Sequence, residues 1–307
     1  MTHAAITIQN LDHRFEKRKV LNNINFDLHP GETLGFLGPN GSGKTTLFSL
    51  LTGLLSVQHG EIFFEGSPQS SSTQKFRSQL GVIFQNPSLD PKLTATENLS
   101  LAACLHAVPS SEAKHRIQKL LSQVGLTNRS QDPIHTYSGG MKRRCDIARA
   151  LIHQPKILIL DEPTTGLDEA MFREIWNMLQ TLRQEYHVSI LLSTHRAEEA
   201  QLCSRVAILS QGTIQVIDTP ATLRKKISTD IIALKGENPQ AICHTIQQKF
   251  NFSSLIHQEE ILIECERGHE WIPRIVEAFP AGTLHSVNLR EPSLADVFLK
   301  ITGHALC

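Results

Sequence analysis

Gly38-Pro39-Asn40-Gly41-Ser42-Gly43-Lys44-Thr45 is the stretch on which the fold turns. It has the spacing GxxxxGK[ST]. It lies between Thr33 to Leu37, which reads as a buried strand, and Leu47, Leu50, Leu51 and Leu54, which recur at helical spacing. Strand, Gly-rich turn and helix in that order make a phosphate cradle. Glycines let backbone N–H groups close around phosphates, Lys44 offers a cation to the β and γ groups, and the Thr45 hydroxyl can ligate Mg²⁺. The helix start adds the positive end of its dipole. The loop from Gly38 to Thr46 therefore points to binding and hydrolysis of ATP.

Upstream, Ile6 and Ile8 lead one strand, and Ile24, Phe26 and Leu28 form a period-two face ending at the turn His29-Pro30-Gly31, a pattern of antiparallel sheet. Downstream, residues 67 to 80 read as a Ser-rich surface loop leading into a short helix. Gly81 to Phe84 returns as a strand ending at Gln85. From Asn86 to about Ala150 the pattern is helical, with an amphipathic stripe of Ile117, Leu120, Leu121 and Val124 that stops at Gly125. This is a helical insertion in an α/β domain. Ile157 to Leu160 and Val188 to Leu192 suit central parallel strands, with the helix-like stretch Ala170 to Glu185 between them, so the core is doubly wound. Strands at Val206 to Leu209 and Thr213 to Ile217, joined by a Gln211-Gly212 turn, lead into Arg224-Lys225-Lys226. There the composition changes, which places a boundary near residue 226. From Ser228 the tail offers strands at Ile231 to Leu234, Ile261 to Glu266 and Leu284 to Leu289, and helices at Pro239 to Phe250 and Glu270 to Phe279. The expectation is an α/β chain: residues 1–226 with an antiparallel β subdomain and a helical insertion at about 86–150, then a small α+β accessory domain at 227–307.

The length of 307 residues agrees with two domains. Lys plus Arg and Asp plus Glu number 30 each, leaving no basic excess to drive nucleic-acid binding. The six cysteines form no CxxC pair, and Cys243, His244, Cys265 and His269 have no common zinc spacing, so neither a disulfide framework nor a metal cluster is suggested. A reducing cytosol is the simplest setting. Met1 to Gln9 lacks the apolar core of a signal peptide, and no apolar run approaches the roughly 20 residues that span a bilayer. The expected location is cytoplasmic, with any membrane role supplied by a partner.

Lys156-Ile157-Leu158-Ile159-Leu160-Asp161-Glu162 is a buried strand ending in two carboxylates, where charge is costly unless metal or substrate compensates it. Asp161 can hold Mg²⁺ and Glu162 can polarise water as general base. Alone, the pair could be ordinary surface acids; beside a phosphate loop it reads as chemistry.

A third motif, Tyr137-Ser138-Gly139-Gly140-Met141-Lys142-Arg143, closely resembles the signature of ATP-binding-cassette (ABC) ATPases. Ser138 is a good N-cap for the following helix, and the capped end with its two glycines forms a second anion site. The resemblance spans about residues 5 to 225 and implies a P-loop NTPase core. It also implies ATP sandwiched in a homodimer, the phosphate loop of one copy facing Ser138, Gly139 and Gly140 of the other. Tyr137 stands where the family usually has Leu, and Met141 where many members have Gln. Gln85 resembles the Q-loop glutamine that senses Mg²⁺ and the attacking water. Asp168 resembles the D-loop aspartate that communicates across the dimer, although an Asp before a helix can simply cap it. His195, in Ser193-Thr194-His195, resembles the switch histidine on the γ-phosphate. Phe15 sits about where the family stacks an aromatic on adenine, the alternative being a core aromatic.

Glu291 to Gly303 and Ser88 to Thr94 resemble drug-resistance-type exporter ATPases of the ABC-2 group. That resemblance implies an ATPase lying peripherally on the cytoplasmic face of the membrane beneath a separate integral-membrane permease, which the helical insertion would dock. A soluble ABC ATPase acting on ribosomes or nucleic acid is the alternative. A P-loop kinase would leave Ser138 to Gly140 and His195 without a role.

Overall fold

Hydrophobic alternation builds the first sheet. In the computed structural model, which describes residues 4–69, 73–227, 230–257, 260–303 and 305–306, β1 (Ile6–Phe15) and β2 (Arg18–Leu28) pair antiparallel, burying Ile6, Ile8 and Leu11 with Ile24, Phe26 and Leu28. β3 (Thr33–Leu37) is buried along its whole length, as a central parallel strand must be. It feeds α1 (Lys44–Leu51), whose Leu47, Leu50 and Leu51 are fully buried. The helix stops there because the Thr52 hydroxyl turns back onto Phe48 O at 2.9 Å and Gly53 takes a left-handed φ of 70°. Leu54, expected on the helical stripe, lies beyond the end and is 63% exposed.

β4 (His59–Phe64) adds to β1, with the short β5 (Ser67–Pro68) beside it, giving the sheet order β2-β1-β4-β5. After α2 (Thr73–Arg77), β6 (Leu80–Ile83) enters the main sheet, one residue earlier at each end than the expected strand. Ser70 to Ser72 of the Ser-rich loop, and Ser228 where the tail was expected to begin, lie outside the described residues.

The helical segment comprises α3 (Ala95–Leu105), α4 (Ser110–Gln123) and α5 (Gly139–Leu151). A Thr94–Glu97 capping box starts α3, and Ile117, Leu120 and Leu121 are the buried side of α4. α5 packs on α3 and α4 and also on β6, so the end of the insertion belongs to the core as well. β7 (Ile157–Asp161), α6 (Glu169–Tyr186), β8 (Ser189–Thr194), α7 (Ala197–Ala200), β9 (Arg205–Ser210) and β10 (Thr213–Asp218) complete a six-stranded sheet of order β10-β9-β3-β8-β7-β6. β9, β3, β8, β7 and β6 run parallel. Leu34, Phe36, Ile157, Ile159 and Leu191 share one core with Leu47, Leu50 and the antiparallel sheet, which locks α1 between the two sheets.

The chain divides into compact units Met1–Ile217 and Asp218–Cys307. The division falls upstream of residue 226 because α8 (Pro220–Arg224), which carries Arg224, packs on α11 (Leu294–Thr302) of the second unit. That unit is an antiparallel sheet of order β12-β13-β11-β14, formed by β11 (Asp230–Gly236), β12 (Ser254–His257), β13 (Glu260–Cys265) and β14 (Leu284–Arg290). α9 (Pro239–Phe250) and α10 (Gly268–Glu277) close its core of Ile232, Leu234, Ile242, Ile246, Ile261, Ile263 and Ile275. β12 was not anticipated, and its Leu255 and Ile256 are both exposed, so no alternation marks it. In the ending Glu291 to Gly303, Ser293 and Asp296 form a capping box for α11, and Arg290 grips both Asp296 oxygens at 2.5 and 2.8 Å. Burial alone would raise the Asp296 carboxyl, but its hydrogen bonds to Arg290 and Ser293 outweigh it and hold the group below its ordinary pKa.

Candidate functional site

The phosphate loop is folded by contacts that only glycines permit. A Cβ on Gly38 would lie 2.3 Å from Leu209 O, and one on Gly43 would lie 2.7 Å from Leu21 Cδ2 on a backbone with φ 109°. Gly38 N donates to Thr194 O at 3.1 Å, which ties the loop to the end of β8. Gly43 is the N-cap of α1 and supplies no side-chain cap, so the first amides of α1 keep their donors free of side-chain oxygen. Ser42 Oγ is buried with no hydrogen-bond partner among the described residues. A concave run of backbone donors, an uncapped helix start and an orphan hydroxyl together suit a phosphate chain.

A cleft of about 450 Å³ opens over this loop, lined by Phe15, Asn40, Gly41, Gly43, Lys44, Thr45, Thr46, Gln85 and Glu162. Arg18 and Val20 complete it. Neither stood out in the sequence, because only the β1–β2 turn carries them to the loop. Phe15 is 48% exposed, with the edge of His13 against it at 4.8 Å between centroids, so it is not a core aromatic.

Four side chains converge on Glu162. Lys44 Nζ is 3.6 Å from Oε1, Gln85 Nε2 is 3.5 Å from Oε2, and Thr165 Oγ1 donates to Oε2 at 3.1 Å. His195 Nδ1 lies 3.3 Å from Oε1 but out of hydrogen-bond alignment. Glu162 itself holds a left-handed φ of 48°, a costly conformation for a side chain of this size. Its N–H donates to Ser193 Oγ at 3.0 Å, and Ser193 Oγ in turn donates to Asp161 Oδ1. Lys44 Nζ donates to Gly38 O at 2.7 Å and Pro39 O at 3.0 Å. Burial pushes the Lys44 amine below its ordinary pKa, opposed by the nearby Glu162 and Asp161 carboxylates.

Thr45 and Gln85 line the cleft, while Asp161 does not but immediately precedes the lining residue Glu162; the Thr45 hydroxyl, the Gln85 amide oxygen and the Asp161 carboxylate are all hard oxygen donors. That donor chemistry fits Mg²⁺ and not a soft metal.

Ser138, Gly139, Gly140 and Asp168 do not line this cleft. Ser138 caps α5, its Oγ accepting from Met141 N at 3.3 Å, and both Ser138 and Gly139 are exposed. A Cβ on Gly139 would meet nothing within 4 Å, whereas one on Gly140 would lie 1.6 Å from Met171 Cε. Asp168 caps α6 by accepting from Met171 N at 2.8 Å. Within this copy it therefore does the work of an ordinary helix cap. Tyr137 is buried where the family usually has Leu, and its hydroxyl donates to Arg129 O at 2.6 Å. Burial drives that phenol up to about 12.

The family described as ABC transporter matches residues 21–165. The linearmycin resistance ATP-binding protein LnrL of Bacillus subtilis is 35% identical, covering 97% of this chain and 98% of its own. The Nod factor export ATP-binding protein I of Burkholderia thailandensis is 35% identical over 100% of this chain and 99% of its own. Among solved structures, cbiO1 of Clostridium perfringens, part of the ABC transporter complex cbiONQ, superposes with a TM-score of 0.68 at 26% identity over 81% of this chain and 96% of that one. An ATP-binding cassette solved as a dimer in a post-hydrolysis state with ADP and Pi gives 0.63 at 26% identity over 70% and 98%. The chain therefore belongs to the ABC transporter ATP-binding proteins: it is an ATPase, the ATP-binding subunit of such a transporter.

Proposed function

We propose that this ATPase energises export through a separate membrane permease of the ABC-2 kind, working as a homodimer with ATP held between two copies. The observation that carries the reading is the convergence of Lys44, Gln85, Thr165 and His195 on one carboxylate beside a phosphate loop. In this reading Phe15 stacks on adenine, and Gly38 to Thr46 surround the phosphates with backbone N–H groups. Lys44 compensates β- and γ-phosphate charge, Glu162 takes the proton of the attacking water, and His195 and Gln85 hold that water against the γ-phosphate. Thr45, Asp161 and Gln85 would hold Mg²⁺, which when bound spreads the charge of the transferring phosphoryl group.

Exposure of Ser138 and Gly139 at the start of α5, away from the cleft, supports a second copy's phosphates as their ligand, and one solved relative is a dimer. In that arrangement Asp168 would face the other copy. Full-length similarity to proteins named for drug resistance and Nod factor export supports the export assignment. Among the described residues no helix is long and apolar enough to cross a membrane; in this reading a separate permease supplies the transport path. Leu101 and Leu105 of α3 are exposed and suit a permease contact on the helical segment, with the protein peripheral on the cytoplasmic face. The unit from Asp218 onward would be the accessory, regulatory part. Co-purification with a polytopic membrane protein, whose vesicles then stimulate ATP hydrolysis, tests the reading; stimulation by ribosomes or nucleic acid instead would overturn it.

A further inference from the structure

Arg143 is the most deeply buried guanidinium near the site, 5% exposed, and among the described residues it forms no ion pair with a carboxylate. It projects from α5, five residues after the Ser138 cap. One nitrogen donates to Phe84 O at 2.8 Å; the other donates to Gln85 O at 3.0 Å and reaches Glu162 O at 3.5 Å. Those carbonyls follow the adjacent parallel strands β6 and β7. One planar fork therefore joins three segments: the backbone of Gln85, the left-handed backbone of Glu162, and the helix that begins at Ser138-Gly139-Gly140. Asp146, Glu199 and Asp161 compensate its charge from longer range. Burying a guanidinium is costly, and here its hydrogen bonds go to backbone carbonyls while the carboxylates act only from a distance. A lysine at this place carries the charge but not the fork.

We propose that Arg143 is a positioning residue of the ATPase reaction, fixing Gln85 and Glu162 to the start of α5 so that seating that helix on a second copy's nucleotide sets the base. It does not line the cleft, and acts through the two backbones it holds. The inference rests on the roles given above to Glu162 and Gln85.

The test compares Arg143→Lys and Arg143→Gln with wild type for ATP affinity, kcat, KM and melting temperature. Both variants should bind ATP normally, because the phosphate loop is intact. Loss of alignment should lower kcat by roughly 10- to 100-fold with little change in KM. Adding Gln85→Ala to Arg143→Lys should cost less than the product of the single effects, since Arg143 acts through Gln85. Wild-type kcat in either folded variant, a fall in kcat matched by the fall in ATP affinity, or a multiplicative double variant overturns the inference. If neither variant folds, hydrogen exchange decides on the Glu162→Gln protein with and without ATP. Segments 84–86 and 138–143 should then gain protection together, and protection of 138–143 alone overturns the proposal. Near-normal hydrolysis by Glu162→Gln would sink the reading of the base; an inactive Glu162→Gln beside a fully active Arg143→Lys would sink only the role of Arg143.

Discussion

Two poles of the first unit are built on opposite terms. At the phosphate loop the chain supplies its own neighbours: backbone closes against Gly38, Lys44 is spent on Gly38 O and Pro39 O, and Glu162 is ringed by four side chains. At the start of α5, Ser138 and Gly139 face solvent and a Cβ on Gly139 would touch nothing. The first pole is organised by its own chain, while the second is a capped helix end open to solvent. That difference is what a site shared between two copies requires, because one half must be rigid and the other accessible.

The largest expected effect lies at the organised pole. Glu162→Gln should slow hydrolysis by at least about 10²-fold while ATP still binds and traps a dimer, as seen by size exclusion with ATP; near-normal turnover would break the comparison at its centre. Lys44→Met should weaken ATP binding by roughly 10- to 100-fold, the value of a charged hydrogen-bond set. Without nucleotide the same change should not lower the melting temperature. The buried amine has a depressed pKa, so the folded chain binds its proton less well than the unfolded chain; the Lys44 contribution to stability therefore rises with pH up to 10.5, and this part of the pH dependence should be missing from the variant.

Glycine substitutions sharpen the contrast. Gly38→Ala drives a Cβ into the rigid carbonyl of Leu209 and should cost about 3 kcal/mol or more in urea unfolding. Gly140→Ala meets only the flexible end of Met171 and should cost about 1 kcal/mol. Gly139→Ala should leave stability within about 0.5 kcal/mol, since Ala is the better helix former. Its hydrolysis should nevertheless fall; an unchanged rate would mean that this pole meets no phosphate.

The smallest effect concerns the helix leading from the second pole. His153, just beyond α5, stacks on His106 at 3.7 Å and contacts Leu80 O at 3.0 Å. Burial, then the neighbouring His106 and the cations Arg149 and Arg116, hold it down to about 4. As pH falls from 6.5 to about 4, the unfolded imidazole takes a proton that the folded one refuses. Stability should drop by on the order of 1 kcal/mol over that window, after allowing for solvent screening. His153→Gln should flatten the slope.

Much of this was legible in the chain. The Gly38 to Thr45 spacing reads as strand–loop–helix, and the short apolar runs Ile157 to Leu160 and Val188 to Leu192 read as central parallel strands, because a local pattern survives without knowledge of neighbours. Leu54 was misplaced on α1 because helix ends depend on a local turn at Thr52 and Gly53, not on apolar spacing. β12 was missed because Leu255 and Ile256 are both exposed.

The sequence by itself determined which residue types could handle a phosphate: a glycine loop with a lysine, a strand closed by two acids, and a capped Ser-Gly-Gly helix start. Only the tertiary structure decided which of them meet. It brought residues 85 and 195 to the Glu162 carboxylate through neighbouring parallel strands, left residues 138 and 139 facing outward, and buried Arg143 between strand ends that lie 59 and 19 residues away along the chain. The reason is physical: chain composition sets what a side chain can donate or accept, whereas the order of strands in a sheet sets what it can reach.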